Sequence, residues 1–190
     1  MTSMIPKSGG RFSDKIMRKR MSRRYCLQLA LAAVALAIAE ARTASARDVI
    51  GFGGNYQPGT IVIITQSREL YFVLGSGQAI RYPVGVGKAG MAWHGRAQIA
   101  EKFLRPAWGP PADIARTNPN IPVSIPGGSP RNPMGAAAMG LTRGNYAIHG
   151  TNDPGSIGRF VSHGCIRMFN EDILDLYRRT SVGTEVVVLR

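Results

Sequence analysis

The chain is short of cysteine, histidine and acid: 190 residues hold two Cys, three His and 11 Asp or Glu, against 24 Lys or Arg. It also lacks a comfortable membrane span. The apolar stretch Cys26 to Ala39 has fourteen residues and is broken by Gln28, whereas a helix crossing a bilayer needs about twenty. No Lys/Arg stripe is interleaved with aromatics, which make up 7% of the chain, so nucleic acid is not an indicated partner. No internal repeat and no second domain are visible.

The basic residues are concentrated at the N-terminus. Residues 1 to 25 carry eight Lys or Arg against one acid, Asp14, and run directly into the apolar stretch; that is the charge order of an export signal. Small residues ending in Ala44-Ser45-Ala46 follow, a pattern that signal peptidases cut. Residues 1–46 are therefore read as a cleaved export signal, with Arg47 the first mature residue. An uncleaved membrane anchor is the alternative, and either way the domain faces outward. Ser22-Arg23-Arg24 resembles a twin-arginine signal, although Cys26 and Gln28 stand where that motif favours Phe and Lys. The expected location is the periplasm, with membrane contact only through the signal segment.

Without the signal, residues 47–190 form one domain of ordinary size whose net charge is only +6. One cysteine remains, Cys165, in a compartment where paired thiols are oxidised. A lone thiol cannot crosslink its own chain, and by itself it reads as a small buried hydrophobe.

Most of the mature sequence reads as strand. Ile61 to Thr65 and Leu70 to Leu74 are β-branched and aromatic runs that form a hairpin, and further strands are expected at Ala79–Val86, Ala97–Leu104, Ala137–Leu141, Tyr146–His149 and Glu185–Leu189. Between Pro106 and Pro133 six further prolines and Gly127-Gly128 predict a long loop without a helix or a central strand. A single helix is expected from Asn170 as N-cap, with Glu171 and Asp172 in the first turn, Ile173, Leu174 and Tyr177 on one face, and Arg178 and Arg179 in the last turn. The fold class is mainly β.

The chemistry is gathered in 22 residues. His149-Gly150-Thr151 follows an expected strand, and thirteen residues after His149 comes Ser162-His163-Gly164-Cys165-Ile166-Arg167, which leads to Asn170. Two of the three histidines thus lie near the lone mature thiol. A thiol is mostly protonated at neutral pH, so a nucleophilic cysteine needs an imidazole or a helix N-terminus to favour the thiolate. Gly164 allows backbone conformations that would turn amide N–H groups toward one point beside the sulfur, as an oxyanion hole requires.

This run resembles the active-site signature of the YkuD-type L,D-transpeptidases, a histidine followed at this distance by Ser/Thr-His-Gly-Cys. Asn132-Pro133-Met134-Gly135 and Gly183-Thr184-Glu185-Val186-Val187 are similar to other family segments, so the likeness covers nearly all of 60–190. It implies a YkuD-like mixed-sheet β-sandwich with one short helix after the catalytic loop. It implies Cys165 as the nucleophile on the third stem residue of a peptidoglycan tetrapeptide, usually meso-diaminopimelate, with release of D-Ala. His149 is implied as base, oriented by the Gly150 carbonyl, and His163 as a supporting histidine. Arg167 is implied to meet a substrate carboxylate or orient the loop, with Ser162 and Gly164 beside it. The thioester then passes to a stem amine, giving 3-3 crosslinks, to an amine of an outer-membrane protein, or to water. No cofactor and no metal are implied, and likeness to short proteobacterial relatives implies a Gram-negative cell. No LysM-like wall-binding module is visible.

Duller readings compete. His149, His163 and Cys165 are also numerous enough to bind zinc with a water, Asn170 is most simply a helix cap, and Ser162 and Gly164 can be turn chemistry alone. At the level of the whole domain, a hydrolase of the same fold and a non-catalytic wall-binding module are the alternatives.

Overall fold

The computed structural model describes residues 48–190 with residue 119 excepted; the expected signal over 1–46 and the cleavage point before Arg47 lie outside the described residues. In chain order the elements are β1 (Val49–Gly51), β2 (Ile61–Ile64), β3 (Glu69–Gly75), β4 (Gln78–Pro83), β5 (Val86–Gly87), β6 (Gly95–Leu104), α1 (Ala112–Thr117), β7 (Ala137–Leu141), β8 (Ala147–His149), a 3-10 turn at Pro154–Ser156, β9 (Phe160–Ser162), β10 (Ile166–Arg167), α2 (Asn170–Arg179) and β11 (Glu185–Leu189). The main sheet has the order β1-β4-β3-β2-β11-β6-β7-β8-β10, and β5 pairs separately with β9. It is mixed: β2 with β11 and β8 with β10 are parallel, the other pairs antiparallel.

The apolar run Ile61-Val62-Ile63-Ile64 does not alternate because both of its faces are covered. Ile61 and Ile63 join the main core, while Val62 packs with Tyr71, Val73 and Ala79 under Phe52 and Tyr56. The ten-residue β6 joins the two halves of the sheet: Gly95–Gln98 pairs with β11 and Ile99–Leu104 with β7, and the register slips between Ile99 and Glu101. Such a bulge bends and twists a strand. One core accordingly collects Ile61, Ile63 and Phe72 from one half and Met139, Ile148 and Ile166 from the other. The expected mainly β, mixed-sheet fold is what the structure has.

Helix α2 lays Ile173 and Leu176, both fully buried, into that core, with Leu174 and Tyr177 half-buried beside them. Its buried Asp175 accepts hydrogen bonds from Tyr82 Oη at 2.6 Å and Arg179 Nε at 2.8 Å, and Lys102 Nζ donates to the carbonyls of Tyr177 and Thr180 at its C-terminal end, where a cation is favourable. Two sequence expectations need correction. Asn170 does not cap this helix: Phe169 is the N-cap, and the Asn170 side chain bonds elsewhere. The proline-rich stretch does contain a helix, α1, because Ala112 to Thr117 has no proline and Pro111 stands where its missing N–H is harmless. The rest of that stretch is held by the fully buried Asn132, whose Nδ2 faces the carbonyls of Pro106, Ile125 and Pro126 and whose Oδ1 accepts from Met134 N.

Candidate active site

Strand register assembles the site. Ala138 pairs with His149 across β7 and β8, and Ile148 pairs with Ile166 and His149 with Arg167 across β8 and β10. Side chains alternate along a strand. Ile148 and Ile166 therefore enter the core, while Ala147, His149 and Arg167, with Cys165 just before β10, fall on the opposite face. The parallel β8–β10 pair sets Arg167 opposite His149 and brings Cys165, one residue before β10, level with Ala147 on the same face.

His149 is buried, and its Nδ1 donates to Gly150 O at 2.6 Å. This fixes the tautomer and leaves Nε2 as the basic nitrogen. Burial pushes the ring down to about 4, with the nearby Arg167 charge acting in the same direction and the carbonyls of Gly150 and Pro133 opposing it. Near neutrality the ring is an uncharged base.

Cys165 is the free thiol of the described residues and is partly exposed. Burial pushes it up, against the Ala147 amide and the Arg167 charge, which favour the thiolate. The resting pair is therefore neutral thiol and neutral imidazole, not the preformed thiolate expected from an adjacent histidine. Sγ points toward Asn145 O at 4.0 Å and makes no hydrogen bond to His149.

The turn before the sulfur is tightly specified. Ser162 Oγ donates to Cys165 O at 2.6 Å and accepts from Gly164 N at 3.1 Å. The Gly164 N–H is thus engaged by Ser162, and the amide that faces the sulfur is that of Ala147. Gly164 has φ +119°, and a Cβ there would stand 2.3 Å from Tyr146 Cε1. Tyr146 stacks on Trp93 at 5.5 Å between centroids, Trp93 Nε1 donates to Gly164 O at 3.0 Å, and Arg143 lies over the Trp93 ring. Sequence reasoning missed this Trp93–Tyr146 wall, because nothing local links residue 93 to 164. His163 is exposed and has no hydrogen-bond partner among the described residues.

A second knot fixes the His149 loop. Asn170 Oδ1 accepts from Ala136 N and Thr151 N at 2.9 and 3.2 Å, and its Nδ2 donates to Thr151 O at 3.0 Å. A Cβ at Gly150 would meet Asn170 Oδ1 at 2.3 Å, and one at Gly135 would meet it at 2.2 Å. Gly150 thus serves both as the carbonyl behind His149 and as the gap that admits Asn170. Arg167 is held by its backbone, which exchanges hydrogen bonds of 2.9 and 2.8 Å with Gly85, and its buried Nε has no partner. Among the described residues no three His, Cys, Asp or Glu are grouped so that they could hold a metal.

With this geometry in view, the model of the YkuD L,D-transpeptidase catalytic domain matches residues 58–188. The chain belongs to the YkuD L,D-transpeptidase family. Among curated relatives of this family it is 36% identical over 136 residues to probable L,D-transpeptidase YbiS of Escherichia coli K12, a match covering 67% of this chain and 43% of that protein. The match thus spans under half the length of that relative. Its fold is similar to an L,D-transpeptidase of Mycobacterium smegmatis at TM-score 0.54 and 21% identity, over 69% of this chain and 58% of the other. A solved chain from Brucella melitensis, titled a probable carnitine operon oxidoreductase, is 44% identical at TM-score 0.50, over 75% of this chain and 92% of that one; its name departs from the family that the domain match and curated L,D-transpeptidase relatives share.

Proposed function

We propose that this protein acts on peptidoglycan tetrapeptide stems through a Cys165 acyl-enzyme with His149 as base. One observation carries the reading: His149 is locked neutral, with Nδ1 on the Gly150 carbonyl and Nε2 left basic, on the strand alongside the one that follows Cys165. The thiol attacks the carbonyl of the third residue as Nε2 takes its proton, the S–C bond forms, the amide C–N bond breaks, and the proton passes to the departing D-Ala amine. Since thiol and ring are both neutral at rest, proton transfer accompanies attack instead of preceding it. Arg167 beside the site offers a fork for a substrate carboxylate, and His163, exposed and unpaired, serves as a supporting residue. An incoming stem amine resolves the thioester into a 3-3 crosslink; a protein amine or water are the other acceptors.

We further propose that residues 1–46 export the domain to the periplasm, which the basic block, short apolar run and Ala44-Ser45-Ala46 support. The activity is tested by incubating the protein with tetrapeptide-stem muropeptides. Stem dimers with free D-Ala support crosslinking, tripeptide monomers with free D-Ala mark a carboxypeptidase, and intact substrate refutes the reading.

A further inference from the structure

The face of the sheet that carries His149 continues across β7 to β6. Glu101 pairs with Gly140 and Gly140 with Ala147, whose amide faces Cys165 Sγ; in the adjacent row Phe103 pairs with Ala138 and Ala138 with His149. Two cross-strand rows therefore lead from β6 to the nucleophile and the base. Their middle positions are Gly140, Ala138 and Ala147, so the face is lowered into a groove of about 320 Å³, walled by Pro106, Ala107 and Met134.

Glu101 lies along the groove floor. A Cβ at Gly140 would stand 2.8 Å from Glu101 Cγ and 2.9 Å from its Oε1, so glycine at 140 is what lets this side chain lie flat over β7. Asp48, Glu69, Asp175 and Glu185 are each matched by an arginine. Glu101 has no ion pair or hydrogen bond among the described residues, although the domain is net positive. An unmatched carboxylate in an otherwise small and apolar groove suits a cation on a methylene chain.

We propose that this groove receives the side chain of the donor's third residue and that Glu101 binds the amine at its far end. The inference rests on the peptidoglycan reading above. Strands lie about 4.8 Å apart, so a carboxylate over β7 is roughly 10 Å from the backbone at Cys165, two strands away. From the reacting carbonyl of a diamino acid with four methylene-length steps beyond its Cα, six bonds of about 1.5 Å, foreshortened by their zigzag, place the distal nitrogen roughly 7 Å off. Adding the S–C bond brings that nitrogen within reach of Glu101. An acceptor's attacking amine must instead arrive at the thioester itself, which places the Glu101 contact on the donor.

The test measures kcat/KM for D-Ala release by the full chain from three tetrapeptide stems. Their third residues are meso-diaminopimelate, L-lysine, which keeps the amine, and 2-aminopimelate, which lacks it. We expect the wild type to prefer the two amine-bearing donors by about tenfold or more, as for a charge-assisted hydrogen bond. Glu101→Gln should bring that preference close to one, and Glu101→Lys should reverse it for meso-diaminopimelate against 2-aminopimelate, with thermal melting checking that both variants fold. Equal wild-type rates on all three donors would overturn the inference and leave the proposed function standing. A Glu101→Gln effect confined to the ratio of dimer to tripeptide product would overturn it by moving Glu101 to the acceptor. Absence of D-Ala release from every stem would sink the underlying reading, and this inference with it.

Discussion

Buried neutral His149 should make the protein lose stability in mild acid by a predictable amount. The ring's ordinary value of 6.5 is lowered to about 4, first by burial and then by the Arg167 charge. Between those values the unfolded chain binds a proton that the native ring refuses. Stability is thus fully present above pH 6.5 and falls as the pH is lowered toward 4, below which both states are protonated. At about 1.4 kcal/mol per pH unit the whole interval is worth about 3 kcal/mol, a large share of the ~5–15 kcal/mol of an ordinary domain. Denaturant unfolding at pH 7 and pH 4.5, for wild type and His149→Gln, isolates the effect. Glutamine does not titrate, so the wild type should lose about 2 kcal/mol more than the variant between the two conditions. Parallel losses would show that His149 is not a buried neutral ring and would remove the argument for a neutral resting pair.

Three other expectations follow from the two knots and the two histidines. Asn170→Ala removes three hydrogen bonds to the Ala136 and Thr151 backbone; it should cost about 1–3 kcal/mol in denaturant melts and slow Cys165 acylation by a carbapenem. Gly164→Ala places a Cβ against Tyr146 at a φ unsuited to alanine, so acylation followed by intact mass should fall by at least tenfold while circular dichroism still reports a folded protein. His149→Ala should lower the acylation rate by about a hundred- to ten-thousand-fold, and His163→Ala by less. The reverse order in folded variants would reassign the base.

Much of this protein was legible in its sequence because the informative features are local. The His149 to Arg167 signature lies in one stretch, the long strands are β-branched runs, and helix α2 carries its acids and bases at the correct ends. What escaped is non-local or short. β1, β9 and β10 have two or three residues each, too few for a period, and exist because neighbouring strands accept them. Asn170 has the composition of a cap but spends its side chain on residues 136 and 151, a choice made by tertiary contact. The protonation of the dyad depends on burial, which spacing does not reveal. The Trp93–Tyr146 wall and the Glu101–Gly140 overlap join strands and loops whose proximity follows only from sheet order.

Acylation of Cys165 is most directly tested by intact mass spectrometry of the protein after brief exposure to a tetrapeptide stem. The expected adduct equals the stem less D-Ala, is located on Cys165 by peptide mapping, is released by hydroxylamine as a thioester, and is absent from Cys165→Ala. Undiminished product formation by Cys165→Ala, or an adduct on any other residue, would contradict it.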